Sequence, residues 1–180
     1  GREYHLPENA RVGGVLILLY PHQNELHTVF MKRTEDGGTH SGQVSFPGGK
    51  VEESDSDLIH TALREAEEEV GVLMSDVEVL GRASELYIPP SNFLVHPTIG
   101  FTAQRPNFVI DPNEVAHIIE VPIRYLMQDE IMGSKKVPMS AQKQLMMEVP
   151  VYEVYGHTIW GATAMMISEF LEVLREAEKK

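Results

Sequence analysis

Residues 56–71, SDLIHTALREAEEEVG, carry the pattern from which the rest of the chain is read. On a helical wheel at about 100° per residue, with Leu58 at zero, Leu58, Ile59, Ala62, Leu63, Ala66 and Val70 fill an arc of about 140°. That is the width of a core-facing stripe. His60, Arg64 and Glu67 fall at about 180–240°, the side expected to face water. Glu68, Glu65 and Glu69 fall at about 280°, 340° and 20°, so three carboxylates form a ridge beside the core and Glu69 lies between Leu58 and Ala62. The spacing predicts a helix that starts near Ser54 and Asp57, which stand at capping-box distance, and stops at Gly71.

Like charges three and four residues apart cost a helix about 0.2–0.5 kcal/mol per pair in water. Partly buried charges about 6 Å apart repel by roughly 3 kcal/mol at an effective dielectric of 20. A hard divalent cation removes that cost, since carboxylate oxygens are its preferred ligands. A solvated acidic helix fits the same run of glutamates. The wheel leaves both open.

Outward from the helix, residues 12–20 and 25–32 are apolar runs around the polar PHQN and read as a hairpin pair. A Gly-rich polar stretch follows at 34–42, then a short strand at 44–46 ending at the turn Pro47-Gly48-Gly49. Strands are expected at 77–87, 96–103 and 116–121, with a short helix after Pro122. Short strands are expected at 135–139, 145–149 and 151–155, and a terminal helix from Gly161. Strands alternating with helices suggest an α/β (α+β) fold, a mixed β-sheet with helices on its faces.

The 180 residues fit one domain with a sizeable core. With 15 Lys plus Arg against 27 Asp plus Glu, the net charge of −12 argues against nucleic acid or an anionic membrane as partner. The chain has no cysteine, which excludes disulfides, thiolate zinc sites and thiol nucleophiles. No apolar run approaches the roughly 18 residues of a membrane span, and the polar opening GREYHLPENA lacks the order of a secretory signal. The expected location is the cytoplasm.

The run Arg64-Glu65-Ala66-Glu67-Glu68-Glu69-Val70-Gly71-Val72, preceded by Gly48-Gly49-Lys50-Val51-Glu52, resembles the Nudix box of the Nudix hydrolase superfamily. His40-Ser41-Gly42-Gln43-Val44-Ser45-Phe46-Pro47-Gly48-Gly49 is similar to the signature that precedes the box in the coenzyme A pyrophosphatase branch. Phe93-Leu94-Val95-His96-Pro97 and Ile159-Trp160-Gly161-Ala162-Thr163-Ala164 are similar to further segments of that branch. Two departures stand out. Gly49 to Arg64 is one position longer than the general box, and the spaced acid is Asp55 rather than Glu.

The resemblance implies a single Nudix domain over 1–180, with the box at 48–72, a mixed sheet between helices, and water-dependent cleavage of a nucleoside diphosphate derivative. It implies Mg²⁺ or Mn²⁺ as cofactor, held by Glu65 and Glu69, with Glu68 as ligand or base and the Gly48 carbonyl as a further ligand. Arg64 would orient the carboxylates, and Glu114, opening a strand after a turn, would be a second candidate for the base. Arg33 and Lys32, at the end of a strand beside the Gly-rich loop, and Lys50 would meet substrate phosphates. Ser45 and Phe46 would border the pocket. The eight His show no ligand spacing, and the Met pairs at 146–147 and 165–166 read as core filling. The partner implied is a small nucleoside diphosphate substrate, and a homodimer is compatible with the resemblance. Coenzyme A or a derivative is favoured by the upstream signature alone. ADP-ribose, dinucleotides or oxidised nucleotides satisfy the box equally, and a nucleotide-sensing module without hydrolysis is the rival of another class.

Overall fold

The computed structural model describes residues 6–38, 42–138 and 146–180. Its elements are β1 (Arg11–His22), β2 (Glu25–Arg33), β3 (Val44–Ser45), β4 (Gly48–Lys50), α1 (Leu58–Val70), β5 (Glu78–Arg82), β6 (Leu86–Ile88), β7 (Phe93–Phe101), β8 (Val115–Pro122), α2 (Ile123–Leu126), β9 (Met132–Pro138), β10 (Met146–Val154), β11 (His157–Ile159) and α3 (Gly161–Glu178). No helix among the described residues is long and apolar enough to cross a membrane.

β1 is apolar on both faces because it lies inside the sheet, parallel to β7 along its length. Its alternate residues feed two cores. Leu16, Leu18 and Tyr20 pack with Ala62, Ala66 and Val70 of α1. Ile17 and Leu19 pack with Ile167, Phe170 and Leu171 of α3. β2 alternates likewise: Val29 and Met31 face α1, Phe30 faces α3. A mixed sheet between helices follows.

The β1–β2 hairpin closes through Gln23 and Asn24, both at positive φ, so the strands run further than the polar PHQN suggested. Beyond the hairpin the two strands part. β1 pairs with β4 over Gly13–Val15, whereas β2 pairs with β3 at Met31 and Lys32 and with β8 along its length. The segment from β3 to β4 bridges this split, and α1 lies over it. Residue 14 must be glycine here, since a Cβ would sit 2.5 Å from the Leu58 carbonyl oxygen.

Several expected boundaries shift. Asp57 alone caps α1, its Oδ1 accepting the His60 N–H at 2.7 Å, and Ser54 takes no part. The strand expected at 77–87 is two, β5 and β6, both paired with β7. Pro97 of β7 accepts from the Ala83 N–H but has no N–H to return, so residues 83–85 leave the ladder. The strands expected on either side of Pro150 are one, β10. Pro150 pairs with Ser134 of β9, while β11 flanks only Tyr152 to Val154, so a missing N–H can face an open edge. Two short strands, β4 and β11, carry no sequence signal that marked them as strands. His40, Ser41, Met139 and Leu145 lie outside the described residues.

Candidate active site

A recess of about 350 Å³ opens where β1 and β2 part, lined by Arg33, Gly48, Gly49, Glu65, Glu68, Glu69, Asp111 and Glu114. Each element delivers its side chain for a local reason. Glu69 lies on the buried side of α1 and is only 4% exposed. Its Oε1 accepts the Gly48 N–H at 2.8 Å, and its Oε2 lies 3.8 Å from the Arg33 guanidinium. Arg33 also donates to the Gly48 carbonyl at 3.4 Å. Burial is the chief reason that the Glu69 carboxyl is pushed up to about 8. Arg33 and the Gly48 N–H oppose the shift, while Glu65 and Glu114 add to it.

Glu65, one turn earlier, is half-buried and likewise raised, by burial first, with Arg64 pulling the other way. It fits because residue 49 is glycine: a Cβ there would lie 2.5 Å from the Glu65 carboxyl carbon. Glu68 is exposed. Glu114 reaches the recess through a tight turn in which Asp111 accepts the Asn113 N–H with its side chain and the Glu114 N–H with its carbonyl. That loop is tied to the end of α1 by Asp111 N–H to the Glu69 carbonyl and Val109 N–H to the Val70 carbonyl.

Arg64 departs from the wheel. The wheel places it on the water side, yet it is nearly buried. The loop before α1 folds over it. Its Nε and one Nη bind both oxygens of Asp55 at 2.7 and 3.0 Å, and that Nη also donates to the Lys50 carbonyl at 3.0 Å. Its other Nη reaches Glu65 at 3.0 Å and Glu68 at 3.2 Å. Asp55 is fully enclosed, and the Arg64 pair holds its carboxyl well below the usual carboxylate range. The Asp at the position of the family's spaced acid thus anchors the arginine, and the loop between β4 and α1 wraps it.

Of the residues expected at the site, Arg33, Gly48, Glu65, Glu68, Glu69 and Glu114 line the recess. Others do not. Arg64 lies behind the carboxylates, not on the lining. Lys32 projects from the opposite face of β2 toward His117 and His157. Phe46 is core, its ring 4.6 Å from that of Phe30. Lys50 is exposed, and only its carbonyl is engaged. Ser45 lies outside the lining with a buried hydroxyl that has no protein partner. Gly49 and Asp111 are lining residues to which sequence reasoning gave no role, although the Asp-Pro-Asn turn signals Asp111.

The donor set is hard oxygen throughout, which suits Mg²⁺ or Mn²⁺. Among the described residues no three carboxylate or imidazole groups already converge as a metal cage. The reason is visible: Arg64 engages Glu65 and Glu68, while Gly48 and Arg33 engage Glu69. A buried, proton-retaining Glu69 beside two further carboxylates is the arrangement that a divalent cation relieves.

Residues 10–140 match the family model of the NUDIX domain. The chain belongs to the Nudix hydrolase family. It is 34% identical over 169 residues to "Uncharacterized Nudix hydrolase NudL" of Photorhabdus laumondii, covering 93% of this chain and 87% of the relative. It is 32% identical over 139 residues to the mitochondrial coenzyme A diphosphatase NUDT8 of Homo sapiens, covering 76% of this chain and 58% of that one. The NUDIX domain of Shewanella oneidensis NrtR, crystallised with ADP ribose, superposes with a TM-score of 0.59 at 15% identity, covering 93% and 90% of the two chains, and so shares the fold. Nudix hydrolases act on small nucleoside diphosphate derivatives and generally use divalent metal ions.

Proposed function

We propose that this Nudix hydrolase cleaves the diphosphate of coenzyme A or a derivative, releasing 3′,5′-ADP and a phosphopantetheine. The recess that joins buried Glu69 to Glu65, Glu68, Glu114 and Arg33 carries the hydrolytic part of this reading. The upstream signature and the 32% identity to a coenzyme A diphosphatase support the substrate.

Glu65 and Glu69, with the Gly48 carbonyl and Glu68, would hold Mg²⁺ or Mn²⁺. Such an ion supplies positive charge to the diphosphate oxygens and makes water a better nucleophile. The chain's own groups do the rest. Arg33, already beside Glu69, meets a diphosphate oxygen with a charge that cannot be lost at physiological pH. Glu114 or Glu68 takes the proton of the attacking water. Arg64, anchored by Asp55, acts through Glu65 and Glu68 as a positioning residue. The water oxygen bonds to one phosphorus, and the bridging oxygen leaves with the other phosphate.

The test is incubation of the full chain with Mg²⁺ or Mn²⁺ and a panel of coenzyme A, acyl-coenzyme A, ADP-ribose and NADH, with products identified by mass. Release of 3′,5′-ADP is the expected result. Cleavage of ADP-ribose alone overturns the substrate and leaves the hydrolase. Binding of panel members without cleavage of any makes the domain a sensor.

A further inference from the structure

On the face of β2 turned away from the carboxylates, three basic side chains from distant parts of the chain converge. Lys32 stands directly opposite His117 of β8 in the antiparallel register, so the two side chains share a face. The His117 ring lies 5.5 Å from that of His157, which β11 carries to the edge of the sheet beside β3. His157 is held below the ordinary imidazole range by burial, and then by the charges of Lys32 and His117. Among the described residues no carboxylate forms an ion pair with any of the three. In a chain with 27 acidic residues and a net charge of −12, a lysine and two imidazoles with no ion-paired carboxylate among the described residues stand out. Three strands are needed to build this cluster, and a bound anion would favour the protonated imidazoles that Lys32 otherwise disfavours.

We infer that Lys32, His117 and His157 form a binding site for a phosphomonoester dianion. An ammonium supplies the charge and two imidazoles supply N–H donors, a set matched to the oxygens of a terminal phosphate. The same chemistry is presented by the ribose 3′-phosphate of a coenzyme A substrate and by inorganic phosphate. The first source rests on the substrate reading above, and the second does not.

The site is tested on the full chain by titrating inorganic phosphate, at ionic strength matched with chloride, while following the imidazole signals by NMR. Saturable movement of the His117 and His157 signals, weakened about tenfold or more in Lys32→Met, is expected. A second arm compares KM for coenzyme A and for dephospho-coenzyme A, which lacks the monoester, in the native chain and in His157→Gln. A roughly tenfold rise for coenzyme A alone identifies the substrate as the source. Saturable phosphate binding with equal KM changes identifies free phosphate. Histidine signals indifferent to phosphate, with no discrimination between the two substrates, overturn the site. If neither compound is cleaved but phosphate still moves the histidines, the substrate reading fails and the anion site stands.

Discussion

The proposed chemistry rests on carboxylates whose surroundings pull them apart. Glu69 is enclosed and raised toward 8, Glu65 is half-enclosed, and Glu68 is open to water. Glu65→Gln keeps the shape and removes the charge. Turnover in saturating Mg²⁺ should fall at least about a hundredfold, with the circular dichroism unchanged; retained turnover would remove Glu65 from the site. In the metal-free protein the raised Glu69 favours folding at pH values below the ordinary carboxyl range. That contribution is lost as pH rises toward 8. Melting curves without metal should therefore show the native chain losing stability from pH 5 to 8 relative to Glu69→Gln. Asp55 has the opposite sign. Arg64 depresses it, so its contribution is present above the unfolded value of about 3.9 and lost on further acidification. Asp55→Asn should destabilise by about 3–5 kcal/mol at pH 7, as expected for a broken buried pair. Denaturant titrations should show that difference shrinking below pH 4.

At the scale of the element, α1 is held by contacts too close to admit a side chain on the sheet. Gly14→Ala would place a methyl 2.5 Å from the Leu58 carbonyl. It should cost about 1–3 kcal/mol through displacement of the helix, read from urea midpoints. The apolar, alternating and capped parts of the elements were legible: the span of α1, the β1–β2 pair, β8 and α3 all follow from local pattern. What was not legible depended on partners. The proline in β7 splits β5 from β6, whereas the proline in β10 interrupts nothing. A proline's effect is set by whether its missing N–H faces a neighbour. The wheel likewise sent Arg64 to water, because it counts only the helix and not the loop that folds back over it.

Across the whole molecule, one sheet separates two compartments. Alternate residues of β1 and β2 serve α1 and the carboxylates on one side, α3 and β10 on the other. Phe30 belongs wholly to the second. Phe30→Ala should cost about 3–5 kcal/mol in global stability. At temperatures where the variant stays folded, Mn²⁺ affinity measured by calorimetry should remain close to native, since the carboxylates occupy the other face. A large loss of affinity would mean that the compartments are coupled.

By itself, the sequence determined the acidic helix, its ridge of carboxylates and the family they signal, because these are local periodicities and near-contiguous motifs. Only the tertiary structure decided which basic residues meet which acids. Lys32 and Arg33 are adjacent in the chain yet point to opposite faces of a strand, and the packing of distant strands assigns one to the carboxylate recess and the other to a pair of histidines.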